Sequence, residues 1–231
     1  MQRESDRLTP LYARLLLRLT RPFPNFDVAF IGPLRARATQ AMHLRAGDRV
    51  LDVGCGIGGS FLFLADAVGP SGEVLGVEIS PATVAHAQRR IETNRWTNVH
   101  VVQGAAQTVR LAGWYDGLIM FGAPDVYASA KALENILPHL RVGARIVLFG
   151  ARTTNGVAGK LLNPMLKLAV SKLSFATTPL PDAEPWHLVR AVTENLEIRE
   201  YFFGAMFLAA GSLAQNWTAA LKDAVTNKSG A

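Results

Sequence analysis

The sequence predicts an α/β fold in which a doubly wound, mostly parallel sheet of seven strands ends in an antiparallel hairpin. From residue 49 onward, short apolar runs typical of strands alternate with longer runs typical of helices. Such alternation produces right-handed βαβ units and a parallel sheet with helices on both faces. Near the C-terminus, two strand-like runs follow one another across a tight turn, so one of these strands must run antiparallel to its neighbour.

The strands and helices can be placed along the chain from periodicity and turn residues. Ser80 is the expected N-cap of the second helix, Pro81 fits its first position, and Gly204 forms the hairpin turn. The predicted strands are 49–53, 73–79, 99–103, 115–121 and 144–150, followed by the hairpin strands 197–203 and 205–210. The predicted helices are 58–68, 81–95, 129–140 and 185–195.

The composition excludes several classes of protein. The 231-residue chain is 49% hydrophobic and 18% charged, unlike disordered, collagen-like or low-complexity chains. Cys55 is the only cysteine, which excludes an internal disulfide, a CxxC pair and a cysteine-based zinc site. A reducing cytoplasm is therefore the simplest compartment. No metal constellation is present, and we expect neither a signal peptide nor a membrane-spanning helix.

The excess positive charge lies in two segments. Residues 1–45 hold eight basic and three acidic side chains, and residues 151–180 hold four basic and no acidic ones. In both segments, apolar residues recur at helical spacing opposite the basic ones. Two uses fit this pattern: the apolar faces cover a core while the basic faces stay in water, or the segments bind an anionic membrane surface.

These segments divide the chain into five parts. We interpret residues 1–45 as a basic amphipathic helical cap, 46–150 as a cofactor-binding α/β core and 151–184 as a helical lid insertion. Residues 185–211 would complete the core with a helix and the hairpin, and residues 212–231 would form a C-terminal helix or tail.

The most informative stretch is VLDVGCGIGG, residues 50–59. A strand runs into a glycine-rich turn and then a helix, whose free N–H groups attract a carboxylate or phosphate. Glu78 ends the second strand, where a carboxylate can accept both hydroxyls of a ribose. Asp52 lies just before the first glycine. A carboxylate at this position would repel a pyrophosphate, whereas it would attract a ligand that carries an ammonium group.

Five motifs in order resemble those of the class I S-adenosylmethionine-dependent methyltransferases. They are VLDVGCGIGG (50–59), VLGVEIS (74–80), NVHVVQGAA (98–106), WYDGLIMFGAPD (114–125) and LRVGARIVLFG (140–150), with the hairpin after them. The resemblance covers roughly residues 44–211. It implies a Rossmann-like methyltransferase fold and S-adenosyl-L-methionine as the cofactor.

The resemblance also implies ten cofactor-binding residues. For the amino-acid end and the ribose these are Asp52, Gly54, Gly56, Gly58 and Glu78; for the adenine and the methionine moiety they are Ile79, Gly104, Ala105, Phe121 and Gly122. Ala105 departs from the family pattern, which commonly has an acidic residue there for the adenine amino group. Gln103 or Gln107 is the alternative acceptor of that hydrogen bond.

The candidate catalytic residues are His187, Tyr12 and Asp125. Methyl transfer from a sulfonium mainly requires alignment and exclusion of water, and a base is needed only where the acceptor must lose a proton early. His187 and Tyr12 belong to segments expected to cover the site, although a lone histidine is more often structural. Asp125 and Tyr127 follow the fourth strand, where many family members keep acceptor-binding groups; Asp125 alternatively caps the following helix.

The predicted lid favours an apolar or lipid-like acceptor, since it is rich in apolar side chains. Chain size and basic flanks are similar to those of bacterial phospholipid N-methyltransferases and quinone C-methyltransferases. A soluble phenol or secondary metabolite is the alternative acceptor. RNA is less favoured, because basic and aromatic residues do not interleave. The expected location is cytoplasmic, peripheral on the inner face of the membrane where the anionic surface is a partner.

Overall fold

A seven-stranded sheet organises residues 31–153 and 184–228, the part of the chain that the computed structural model describes. Its strands are β1 Arg49–Val53, β2 Glu73–Glu78, β3 Val99–Gln103, β4 Tyr115–Phe121, β5 Leu140–Ala151, β6 Thr193–Tyr201 and β7 Met206–Leu213. The order across the sheet is β3-β2-β1-β4-β5-β7-β6. Strands β1 to β5 pair in parallel, and β7 is antiparallel to both β5 and β6. The predicted fold class is confirmed.

Helices cover both faces of this sheet. They are α1 Gly32–Ala41, α2 Phe61–Val68, α3 Pro81–Asn94, α4 Pro124–Tyr127, α5 Ala130–Ile136, α6 His187–Val192 and α7 Trp217–Lys228. Buried side chains of α1, α2 and α3 form one hydrophobic core, and those of α4 to α7 form the other on the opposite face. The chain is therefore doubly wound, with its change of face between β1 and β4.

The alternation of side chains along β1 determines on which face of the sheet Asp52 lies. Leu51 and Val53 belong to the core of α4 to α7, whereas Val50 belongs to the core of α1 to α3. Because successive side chains of a strand point to opposite faces, Asp52 lies on the same face as Val50. In β4, Phe121 belongs to this same core.

Several element boundaries differ from the prediction. The first core helix begins at Phe61 rather than at residue 58, because the glycine turn extends through Gly58, which has a φ of +76°. The helix predicted for 129–140 ends at Ile136, and a 3₁₀ turn containing Pro138 leads directly into β5, which starts four residues earlier than expected.

The last predicted helix, 185–195, is also too long. The helix ends at Val192, and Thr193 already pairs with Leu213 in the sheet. Strand β6 ends at Tyr201 because Phe202, Phe203 and Gly204 form the turn with positive φ angles. Strand β7 then continues to Leu213.

Candidate active site

The carboxyl ends of β1, β2, β3 and β4 meet at one edge of the sheet, and the ten predicted cofactor residues lie along this edge. These four strands are neighbours in the sheet and run in the same direction. The change of face between β1 and β4 creates the crevice in which open α/β sheets bind their ligands. Tyr12 lies outside the described residues, as do residues 1–30 and 154–183 of the predicted cap and lid.

The glycine turn after β1 depends on three left-handed residues. The φ angles are +75° at Gly54, +57° at Gly56 and +76° at Gly58, values that L side chains rarely adopt. A Cβ on Gly54 would lie 2.5 Å from the Cβ of Ala123, and one on Gly58 would lie 2.5 Å from the Phe61 ring. A Cβ on Gly56 would meet nothing within 4 Å. Packing thus requires two of the glycines, and the third faces space that a ligand can fill.

Backbone hydrogen bonds attach this turn to the end of β2. The N–H of Gly54 donates to the carbonyl of Val77 at 2.8 Å. The N–H of Gly56 donates to Oε2 of Glu78 at 3.1 Å, and Ser80 donates its N–H to Oε1 at 2.9 Å. A carboxylate oxygen accepts more than one hydrogen bond, so Glu78 keeps acceptor capacity for two ribose hydroxyls.

Asp52 is a buried carboxylate without a hydrogen-bond partner among the described residues. Its side chain is fully buried, and neither Oδ1 nor Oδ2 makes a hydrogen bond there. Burial raises the pKa of Asp52 to about 7, the Arg35 charge opposes that rise, and Glu78 adds to it. An unpaired buried carboxylate is costly to a fold, so this position suits a ligand that brings its own positive charge.

Arg35, on α1, lies against the end of the glycine turn, and the sequence pattern did not single it out. Its Nη1 donates to Oγ of Ser60 at 3.0 Å, and its Cζ lies 4.3 Å from the centre of the Phe121 ring. That ring stacks on Phe149 with 4.3 Å between ring centres. The side chain of Phe121 is therefore packed between an aromatic ring and a guanidinium. In the sequence, Arg35 is not distinguishable from the nearby Arg37.

The remaining predicted cofactor residues lie around the cleft. Ile79 is 61% exposed beyond the end of β2. The N–H of Gly104 donates to the Glu78 carbonyl at 2.9 Å, and Ala105 accepts backbone bonds in the following turn. Gly122 is exposed at the end of β4 with a φ of +74°, and a Cβ there would meet nothing within 4 Å.

The structure separates the two interpretations of Asp125. The cap of α5 is Ser129, whose Oγ accepts a hydrogen bond from the N–H of Ala132 at 3.2 Å. The alternative in which Asp125 caps this helix is wrong, since Asp125 lies in the first turn of the separate, unpredicted α4. It is exposed next to the end of β4. His187, the other described candidate, is half-buried at the first position of α6.

An aromatic cluster packs beside β5 and β7, close to the same edge. It consists of Tyr127, Trp186 and Phe207, with Trp186 4.7 Å and Tyr127 6.1 Å from Phe207 between ring centres. Arg152 lies 5.5 Å from the Trp186 ring. Within the described residues, the Tyr127 hydroxyl is buried without a partner, and burial raises its pKa. Tyr127 is therefore protonated at neutral pH and is no candidate base.

No group of three or more metal-ligating side chains occurs in the described ranges. The same ranges contain no helix that combines the length and the apolar character needed to cross a membrane.

The sheet order, the glycine turn after β1, the acid ending β2 and the reversed β7 define the class of Rossmann-like methyltransferases. Residues 50–143 match the family described as a methyltransferase domain. This stretch of the chain therefore matches a methyltransferase domain within the Rossmann-like fold, and S-adenosylmethionine is the cofactor that this match supports.

Similar proteins agree with this class. The chain is 35% identical over 49% of its length to a protein-L-isoaspartate O-methyltransferase of Ignicoccus hospitalis, covering 52% of it. It is 31% identical over 47% of its length to a demethylmenaquinone methyltransferase of Symbiobacterium thermophilum, covering 45% of it. It thus spans about half the length of these curated relatives. A crystal structure of a SAM-dependent methyltransferase from Aquifex aeolicus has the same fold, with a TM-score of 0.57 at 16% identity, covering 83% of this chain and 94% of that one.

The cleft fits the cofactor of this class on three observations. Asp52 presents two unpartnered carboxylate oxygens, which suit the ammonium group of S-adenosylmethionine. Glu78 stands where a ribose would be held, and the space at Gly56 is open to ligand atoms. When bound, S-adenosylmethionine supplies a methyl group activated by its sulfonium.

Proposed function

We propose that this protein transfers the methyl group of S-adenosylmethionine to an apolar or lipid-like acceptor, such as a phospholipid amine or a quinone. The observation that carries the acceptor class is the apolar rim of the carboxyl edge. Among the described residues, eight large hydrophobic side chains are exposed, and five of them belong to segments at this edge. These five, which we call the apolar rim, are Ile57, Leu62, Ile79, Phe202 and Phe203.

The hairpin tip is the most exposed part of the apolar rim. Phe203 is 86% exposed and Phe202 is 56% exposed, and both have left-handed φ angles. Strand β6 runs parallel to β1 through β5, so its end reaches the edge at which the cleft opens. Two adjacent exposed phenylalanines held in an unfavourable backbone conformation are typical of a surface that meets an apolar partner.

The curated relatives differ in what their names say they act on. The Symbiobacterium relative is named for demethylmenaquinone, and the Ignicoccus relative for a protein isoaspartate. The first name supports a quinone-like acceptor for this chain, and the second would indicate a protein acceptor. The apolar rim favours the quinone-like acceptor.

The chain's own residues mainly align the reactants. Asp52, Glu78 and the glycine turn would hold the cofactor, and the acceptor would approach from the exposed end of β4 at Gly122. Correct alignment of reacting atoms contributes several orders of magnitude in rate. Where the acceptor must lose a proton, Asp125 and His187 are the described candidates for the base, and Tyr12 is the third candidate.

The test uses S-adenosylmethionine labelled in its methyl group and an extract of whole cells. The purified protein is incubated with both, the mixture is partitioned between organic and aqueous phases, and the Glu78→Ala variant is the control. We expect label in the organic phase that depends on the unchanged protein. Label confined to soluble small molecules, to protein or to RNA would overturn the lipid-like acceptor while leaving methyl transfer itself supported.

Membrane contact is tested separately by sedimentation with lipid vesicles. We expect the double variant Phe202→Ser, Phe203→Ser to bind vesicles more weakly than the unchanged protein. Trp114→Ser is the matched control, because Trp114 is 56% exposed at the amino end of β4, on the opposite edge. Equal binding by all three proteins would show that the hairpin tip does not meet the bilayer.

A further inference from the structure

We propose that Arg35 is a positioning residue of the cofactor site, which fixes the end of the glycine turn and supplies the charge that prepares Asp52 for a cationic group. The inference rests on the proposal that S-adenosylmethionine binds in this cleft. It adds a helix outside the matched methyltransferase domain to the binding machinery, since Arg35 precedes residue 50.

The first part of the role is mechanical. A Cβ on Gly59 would lie 2.5 Å from Cζ of Arg35, so the guanidinium occupies the space beside the turn that a side chain would need. The guanidinium also lies over the Phe121 ring, with 4.3 Å between Cζ and the ring centre. Ser60 is the N-cap residue of α2, yet its Oγ makes no cap hydrogen bond and accepts from Arg35 instead. Helix α1 therefore holds the point at which the turn becomes a helix.

The second part of the role is electrostatic. Asp52 faces the side of the sheet on which α1 packs, and Arg35 is the described group whose charge favours its ionised form. Glu78, from β2, acts in the opposite sense. The thiol of Cys55, from the turn, is buried with its pKa raised well above its ordinary value, so it stays neutral and adds no charge.

Arg35 and Asp52 are not joined by a direct hydrogen bond, and this matters for ligand binding. Neither carboxylate oxygen of Asp52 has a hydrogen-bond partner among the described residues, so Arg35 acts on it through space. A direct ion pair would have to be broken before a ligand ammonium could bind. A cation that acts on Asp52 without a hydrogen bond favours the ionised carboxylate and leaves both of its oxygens without a competing hydrogen bond.

The test is the affinity for S-adenosylhomocysteine, which carries the same amino-acid end, measured by titration calorimetry between pH 6 and pH 8.5. For the unchanged protein we expect affinity to rise as the pH passes 7. The Arg35→Met variant should bind at least about fivefold more weakly at pH 7, with its rise displaced upward by about one pH unit. Arg35→Lys should retain the original pH profile.

Two further variants separate the parts of the role. Arg37→Met is the matched control, because Arg37 is on the same helix but lies 5.7 Å from the ring of Tyr201; it should bind normally. Ser60→Ala removes the hydrogen bond of Arg35 without changing any charge, so it should weaken binding equally at every pH. If Arg35→Met fails to fold, the Ser60→Ala variant still tests whether the Arg35 contact supports ligand binding.

Two results would overturn the proposal. A loss in Arg35→Met that is equal at every pH would show that Arg35 only packs, and normal binding by that variant would show that it has no role. Failure of the unchanged protein to bind S-adenosylhomocysteine at any pH would instead overturn the cofactor assignment, so the two failures are distinguishable.

Discussion

The carboxylate of Glu78 accepts a 3.1 Å hydrogen bond from the backbone N–H of Gly56, which joins the end of β2 to the middle of the glycine turn. Its other oxygen accepts from the N–H of Ser80 at the start of α3. The acid that the sequence pattern assigns to the ribose therefore also holds the two backbone segments that border the cleft. Ligand affinity and local structure depend on the same side chain.

This double use predicts a graded effect of substitution at Glu78. The Glu78→Ala variant should lose about 100-fold in affinity for S-adenosylhomocysteine, because hydrogen bonds to a charged group contribute roughly 1.5–3 kcal/mol each. Glu78→Gln keeps one acceptor oxygen and should fall between Ala and the unchanged protein. Titration calorimetry gives the affinities, and circular dichroism checks that each variant folds. Normal affinity in Glu78→Ala would place the ribose elsewhere.

Asp52 predicts an unusual dependence of stability on pH. Its pKa is about 7 in the folded protein, above its ordinary value of 3.8. The unfolded carboxyl loses its proton near pH 3.8 and the folded one only near pH 7, so the fold loses stability as the pH rises between these two values and changes little above them. Between pH 5 and pH 8 the free energy of unfolding of the unchanged protein should fall by roughly 3 kcal/mol. The Asp52→Asn variant should not show this fall, because it has no carboxyl to ionise.

Urea unfolding without ligand at the two pH values measures this difference. The Asp52→Asn variant should be more stable at pH 8 and should bind S-adenosylhomocysteine poorly, since it lacks the charge for the ammonium group. A constant stability difference between pH 5 and pH 8 would mean that Asp52 titrates normally.

Much of the fold was predictable because its signals are local. The boundaries of β1, β3 and β4 agree with the prediction, and Ser80 caps α3 through a 3.4 Å bond from the N–H of Thr83. Strand β6 begins earlier than predicted because its first residues pair with β7, twenty residues further along the chain. That pairing is not visible in a local pattern.

The site shows the same division. The glycine turn and Glu78 could be found from spacing alone, since turn chemistry and the end of a strand fix their positions. Arg35 could not, because its contact with Ser60 depends on how α1 docks against α2. Capping by Asp125 remained an open alternative in the sequence because Ser129 and Asp125 are both favourable caps, and only the unpredicted α4 separates them.

The glycine turn predicts different outcomes for alanine at Gly54 and at Gly56. In Gly54→Ala the new Cβ would collide with Ala123 and the left-handed backbone would be strained, which should cost roughly 2–4 kcal/mol of stability. In Gly56→Ala only the backbone strain applies, about 1–2 kcal/mol. However, the new methyl group projects into the open space assigned to the ligand. We therefore expect Gly56→Ala to fold and to bind S-adenosylhomocysteine weakly.

Denaturant unfolding and calorimetry of both variants test this assignment. Normal binding by Gly56→Ala would show that the ligand does not approach the turn at that residue. Equal destabilisation of the two variants would contradict the close contact between Gly54 and Ala123.

The hydroxyl of Tyr127 is buried without a partner among the described residues. Its position after β4 suggests an acceptor-binding group, but its ring packs edge-on against Phe207, and the residue is fully buried. Tyr127→Phe removes a buried polar group that is not hydrogen-bonded there, so it should leave stability unchanged or raise it by about 1 kcal/mol. Transfer of label to the organic phase should be unchanged.

Asp125→Asn is the companion variant at an exposed position on the same short helix. A fall in label transfer in Tyr127→Phe at unchanged stability would show that the hydroxyl reaches the acceptor after all, whereas a fall in Asp125→Asn alone would assign that role to the exposed carboxylate.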